Sequence, residues 1–218
     1  MQWPTLIVDN FFTDPHAVVK LSKTFKYVRD NENRWPGERT RGLHEEDPHF
    51  FQWSTRKILA LLYPLQVCPG QDLKWKATQS FQRMPSNIYG KEGWIHSDDK
   101  YEFTAIIYLS DHVESGTCLY EGKQFSSHPT YVVEKQKFNR DLKDKKRMEK
   151  YRDKTNSQFR KKVELFSNFN RLVLFDGSNW HAHKHADHSK EDRLTLITFF
   201  TSVSGENLRY PITQMRRI

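Results

Sequence analysis

Apolar positions recur at helical spacing in the first third of the chain and alternate with polar ones from Leu73 onward. Asp14-Pro15 supplies an N-cap residue followed by proline in the first turn, and Val18, Leu21 and Phe25 follow at the spacing of one helix face. Asp47-Pro48 repeats the start signal. Phe51, Ile58, Leu59 and Leu62 form the second stripe, which Pro64 ends. Between the two predicted helices lies Trp35-Pro36-Gly37-Glu38-Arg39-Thr40. Pro-Gly is a turn signal, but a tryptophan with Arg39 and Arg41 nearby also suits the wall of an active site.

Trp75, Ala77, Gln79 and Phe81 have the period-two pattern of a strand. Phe103 to Leu109 (Phe-Thr-Ala-Ile-Ile-Tyr-Leu) reads as the run of a buried strand, closed by Ser110-Asp111. Gly116 to Tyr120, Arg171 to Phe175 and Arg193 to Val203 add further strands, with an Asp176-Gly177 turn among them. The predicted fold is mainly β with flanking N-terminal helices. Short strands separated by turn signals point to a sandwich or jelly roll, the cupin-like architecture of a double-stranded β-helix.

At 218 residues, the chain is predicted to form a single domain over 1–218, large enough to bury a core rich in its 14% aromatic residues. The net charge of +8 changes the picture only locally. Residues 133–165 carry 13 Lys/Arg against 6 Asp/Glu, so nearly all the excess sits in one insertion. That insertion is predicted to be a solvated helical arm, or else a surface for an acidic partner or a phosphate backbone. Two cysteines, Cys68 and Cys118, are too few for a disulfide framework and fit a reducing compartment. The N-terminal residues do not read as a signal peptide, and no apolar run is long enough to span a membrane. A cytoplasmic location is expected.

The candidate chemistry lies in three pieces. His96 and Asp98 are two apart, so on a strand or extended loop both point to one side and can reach one metal. A third ligand must come from elsewhere. Four of the ten histidines, His181, His183, His185 and His188, follow the Asp176-Gly177 turn. The first three would share one strand face, so spacing alone does not choose among them. Two imidazoles and one carboxylate are the donor set of a non-haem Fe(II) oxygenase. Arg193 and Thr195 share a face of the last strong strand. An arginine can clamp a carboxylate with two parallel hydrogen bonds, and a threonine hydroxyl can add a third.

With these residues in view, the chain resembles the Fe(II)- and 2-oxoglutarate-dependent dioxygenases, and within them the small prolyl-hydroxylase-like members of bacteria and phages. The pieces that carry the resemblance are Val8 to Phe12, Trp35 to Thr40, Ile95 to Asp99, Ile107 to Ser110, Ser115 to Tyr120, Asn170 to His181 and Arg193-Leu194-Thr195. The resemblance implies that His96, Asp98 and His181 bind Fe(II) and that Arg193 binds the distal carboxylate of 2-oxoglutarate. Its Asp-Gly-x-x-x-His pattern favours His181, whereas the spacing to Arg193 would suit His183 as the alternative distal ligand. It further implies O2 as oxidant, ascorbate as a stimulant and hydroxylation of a C–H bond, with succinate and CO2 as by-products. The implied substrate is a protein or peptide side chain such as proline. A free amino acid, a small metabolite or a nucleic acid is the alternative. Nucleic-acid repair enzymes of this kind carry a second arginine where this chain has Phe199, which disfavours that last case. For a phage-encoded member the location would be the host cytoplasm. Two readings of another class remain: a catalytically silent jelly-roll module binding through its basic arm, and a zinc hydrolase using Asp99 or Glu92 as base.

Overall fold

In the computed structural model, which describes residues 3–30, 35–64, 72–85, 92–111, 115–122, 145–184, 192–206, 208 and 211, helices and short strands alternate first and longer strands dominate afterwards. The chain opens with β1 (Leu6–Val8), α1 (Pro15–Ser22), β2 (Tyr27–Arg29), β3 (Glu38–Thr40), α2 (Leu43–Glu46) and α3 (Pro48–Ala60). It continues through β4 (Lys74–Met84), β5 (Phe103–Tyr108), β6 (Gly116–Gly122), α4 (Lys145–Asn156), β7 (Phe159–Phe166), β8 (Leu172–Asp176), β9 (Trp180–Lys184) and β10 (Arg193–Ser204). Both sequence start signals act as expected. The Asp14 carboxylate accepts from the Ala17 amide, and that of Asp47 accepts from the Phe50 amide, each at 2.9 Å. Each cap is worth about 1 kcal/mol.

The strands form two antiparallel sheets, one of seven strands in the order β1-β8-β5-β10-β4-β3-β2 and one of three in the order β7-β6-β9. This is the jelly-roll fold predicted from the sequence. Period-two alternation sorts the side chains of the large sheet into two layers. Phe103, Ala105, Ile107, Leu172, Leu174 and Leu196 face the core shared with the N-terminal helices. Ile106, Tyr108, Val173, Phe175 and Ile197 face the other way and pack with Leu119 and Leu165 of the small sheet. A fully buried aromatic ring such as Phe103 or Phe200 contributes roughly 2 kcal/mol by its burial.

The arm departs from the helical expectation. Its helix is α4, and residues 159–166 then form β7 on the edge of the small sheet. Pairing with β6 explains the change: Phe159 and Leu165 are buried, while the charged residues between them face solvent. The register slips at Lys162, which lies between the Lys161–Tyr120 and Val163–Leu119 pairs and masks the alternation. A charged edge strand also resists pairing with other chains. Residues 133–144 of the arm, Cys68, His185 and His188 lie outside the described residues. Among the described residues, no helix is long and apolar enough to cross a membrane.

Candidate metal centre and its cavity

Residues 93–96 run beside β9 and meet it at one isolated bridge. His96 and His181 form an antiparallel bridge, with the His96 amide donating to the His181 carbonyl at 2.9 Å and the reverse bond at 2.7 Å. The Gly93 amide donates to the His183 carbonyl at 3.2 Å. Two residues past the bridge, the Asp98 amide donates to the Gly177 carbonyl at 2.8 Å. The Asp176-Gly177 turn is therefore more than a reversal. A Cβ on Gly177 would collide with the Tyr101 carbonyl and lie 2.9 Å from that of Asp98, so only glycine lets the Asp98 loop approach this closely.

This framework gathers His96, Asp98 and His181 so that one donor atom from each lies within 4.8 Å of the others. The His181 Nε2 is 3.5 Å from Asp98 Oδ2. Each ring turns its Nδ1 to a main-chain carbonyl, His96 to Trp94 and His181 to Asn179, both at 2.9 Å. A carbonyl only accepts, so each Nδ1 carries the proton and each Nε2 is left as a lone-pair donor suited to a metal. The Thr104 hydroxyl donates to Asp98 Oδ2 at 3.0 Å and steadies the carboxylate. The donor set and the tautomers fit a divalent iron held on one face. His183 lines the same cavity, with its ring against Gly93, but is not part of this cluster.

The cluster opens into a cavity of about 530 Å³ between the two sheets. Arg193 and Thr195 line it from β10, and both are buried. The Arg193 guanidinium lies 5.1 Å from the centroid of the Tyr108 ring, and the Tyr108 hydroxyl pairs with that of Thr117 at 2.8 Å. Burial pushes the Tyr108 phenol above its ordinary range, outweighing the pull of Arg193, so it stays neutral. A buried guanidinium with Thr195 and Thr117 at the same cavity suits a carboxylate.

Tyr108, Thr117, Thr104 and Arg152 escaped the reading of the sequence. A hydroxyl at the end of the β5 run, which is apolar apart from Thr104, was the available signal for Tyr108. Arg152, the buried side chain among those described in α4, lines the cavity and contacts Asp153 at 2.8 Å. Trp35 and Arg39 line the cavity too, so the Pro-Gly segment is a wall as well as a turn. Of the two bases considered for a hydrolase, Glu92 lines the metal cavity and Asp99 does not. Glu92 accepts from the Tyr120 hydroxyl, and Asp99 is exposed at a separate cleft beside Glu102. Burial, followed by the bond to Glu92, drives the Tyr120 phenol far above its ordinary range.

The fold has close counterparts among solved structures. A 2-oxoglutarate-dependent carbocyclase of nogalamycin biosynthesis, SnoK, superposes with a TM-score of 0.57 at 9% identity, covering 100% of this chain and 87% of the other. HygX of Streptomyces hygroscopicus, solved with nickel, 2-oxoglutarate and hygromycin B bound, gives 0.55 at 11% identity over 96% and 86%. A prolyl hydroxylase of Trichoplax adhaerens, bound to a peptide of hypoxia inducible factor, gives 0.51 at 14% identity over 90% and 82%. No curated protein matches the sequence. The profile of DUF6445, a family of unknown function, matches residues 1–200, and the chain belongs to that family.

Proposed function

We propose that this protein is an Fe(II)- and 2-oxoglutarate-dependent oxygenase that hydroxylates a C–H bond. The observation that carries the reading is the joint placement of His96, Asp98 and His181, with both Nδ1 atoms turned to main-chain carbonyls, in the cavity that Arg193 and Thr195 line. The two histidines and Asp98 would hold the iron. Arg193 would hold the distal carboxylate of 2-oxoglutarate, with Thr195 beside it. Iron with the co-substrate and O2 supplies the oxidising power that converts C–H to C–OH, with succinate and CO2 as the other products.

The chain's own part is binding and exclusion. Carbonyls at Trp94 and Asn179 fix the imidazole tautomers, Thr104 holds the carboxylate, and His181, Arg193 and Thr195 are buried from bulk water. The substrate would be a peptide side chain, such as that of proline, or a free small molecule. Both kinds of ligand occur among the structural neighbours, as the peptide bound to the prolyl hydroxylase and the hygromycin B bound to HygX.

The test is succinate formation from 2-oxoglutarate by the iron-loaded protein, first alone and then with peptide and metabolite panels. Slow uncoupled succinate production is expected in wild type and none in Asp98→Ala. Arg193→Gln should raise the apparent KM for 2-oxoglutarate by about 100-fold, the loss of a buried charge-assisted pair of about 3 kcal/mol. Equal turnover in Asp98→Ala and wild type would sink the reading.

A further inference from the structure

We propose that Asn156, at the C-terminal end of α4, is a positioning residue for the metal ligand His96 and acts on its imidazole through the Trp94–Ile95 peptide group. The inference deepens the metal-centre reading and rests on it. Two hydrogen bonds and one peptide group make the route. The Asn156 Oδ1 accepts from the Ile95 amide at 3.1 Å. That N–H and the Trp94 carbonyl belong to one planar, trans peptide group, so they point to opposite sides of the chain. The Trp94 carbonyl in turn accepts from His96 Nδ1 at 2.9 Å. Asn156 therefore fixes the plane whose other end keeps the His96 proton on Nδ1 and gives metal binding to Nε2. A peptide whose N–H is bonded is also a stronger acceptor at its oxygen, because bonds in a chain polarise one another.

The same side chain holds a second point. The Asn156 Nδ2 donates to the Gly93 carbonyl at 2.9 Å, so one amide spans the peptide groups on both sides of Trp94. β9 holds the ends of this segment, through the Gly93 amide bond to the His183 carbonyl and the His96–His181 bridge. Asn156 holds its middle. Asparagine suits the task because it offers one acceptor and one donor group on a short, uncharged side chain.

Asn156 is itself placed from both sides. Before it in α4, the Tyr151 ring meets the buried Trp94 ring at 5.8 Å between centroids, and Arg152 is buried. After it, Phe159 of β7 packs with Ile95 and Ala182 and lies 4.9 Å from the Trp180 ring. The basic insertion therefore takes part in the metal centre without contributing a ligand.

The experiment uses the full chain with isotopically labelled histidine. Nuclear magnetic resonance of the metal-free protein at about pH 8, where an ordinary imidazole is neutral, reads which ring nitrogen of each histidine carries the proton. Wild type is expected to show the Nδ1–H form for His96 and His181. In Asn156→Ala, His96 should divide its proton between the two nitrogens, while His181, whose Nδ1 faces the Asn179 carbonyl, keeps the Nδ1–H form. A loss of packing alone would not single out one histidine of a bridged pair. Co(II) titration should show an affinity about tenfold lower in Asn156→Ala, the lower end of the range for groups that support a ligand. A second measurement needs no variant. Coupling is reciprocal, so in wild type Zn(II) is expected to slow hydrogen exchange of the Ile95 amide by about tenfold more than that of amides in the middle of α3. The proposal is overturned if wild-type His96 lacks the Nδ1–H form, or if folded Asn156→Ala keeps that form or full Co(II) affinity. It is equally overturned if both histidines change alike, or if Zn(II) protects Ile95 no more than α3. Failure of wild type to bind Co(II) would instead overturn the metal centre, and the metal-free tautomers would still judge Asn156.

Discussion

His96 and His181 hold each other's backbone, through reciprocal bonds of 2.9 and 2.7 Å, while their rings stand 4.4 Å apart between centroids. The bridge makes two residues 85 positions apart in sequence behave as one rigid donor pair. The side chains contribute nothing to the bridge, so removing either ring should spare the fold and remove a ligand. His96→Ala and His181→Ala are each expected to weaken Fe(II) or Co(II) binding by about 100-fold or more, with little change in melting temperature. Metal titration of each variant, followed by a thermal melt, checks this. Metal affinity retained in His181→Ala but lost in His183→Ala would move the distal ligand to His183.

Gly177 controls where Asp98 sits. Its carbonyl accepts from the Asp98 amide, and a methyl group at its Cα would press on the Tyr101 and Asp98 carbonyls. Gly177→Ala should therefore shift the Asp98 loop, and metal affinity should fall by roughly 10- to 100-fold, the range seen when groups supporting a ligand are lost. Circular dichroism should remain β-rich. Unchanged metal affinity in a folded Gly177→Ala protein would show that the loop yields without moving the carboxylate.

Away from the site, Asn170 fastens the N-terminal segment to the sheet. It adopts φ 63°, in the left-handed region, and its side chain both accepts from the Phe12 amide and donates to the Phe12 carbonyl, each at 2.8 Å. Asn170→Ala removes two buried hydrogen bonds and keeps the strained backbone, an expected loss of about 2–3 kcal/mol. Asn170→Gly relieves the backbone but still loses both bonds, so it should be the milder of the two. Denaturant titration measures both. Equal stability of Asn170→Ala and wild type would mean that Phe11 and Phe12 are held by packing alone.

The parts of this molecule legible in the sequence are those whose chemistry is local. Asp14-Pro15 and Asp47-Pro48 announce helices because the cap bond closes within three residues. The apolar run of β5 announces a buried strand because both of its faces are covered. His96 and Asp98 announce a donor pair because two residues apart is one side of an extended chain. Spacing alone cannot choose between His181 and His183, because both lie on one face of β9; the Asp-Gly-x-x-x-His pattern favours His181, and the cross-strand bridge to His96 brings it into the donor cluster. β7 hid inside a charged arm because it is an edge strand with a bulge, where only Phe159 and Leu165 need to be apolar. Arg39 could be read as an active-site wall or a turn residue, because its partners Gln82 and Phe199 arrive from β4 and β10.

Glu102 gives the fold a pH dependence of known sign. Burial raises its carboxyl above the ordinary value of 4.5, and the Val203 amide only partly offsets this. Its Oε2 is buried and has no hydrogen-bond partner among the described residues. For an acid whose pKa is raised by folding, the native state binds the proton more tightly than the unfolded chain does. Stability from this group is therefore fully present below the unfolded pKa and is lost as pH rises through the folded one. Glu102→Gln fixes the neutral form. The variant should melt higher than wild type near neutral pH, and the gap should close as the pH falls to about 4, where wild type is protonated as well. Melting curves of both proteins across that range provide the check. A constant gap, or one that widens toward acid, would mean that Glu102 is stabilised as the carboxylate and that its surroundings are more polar than its burial implies.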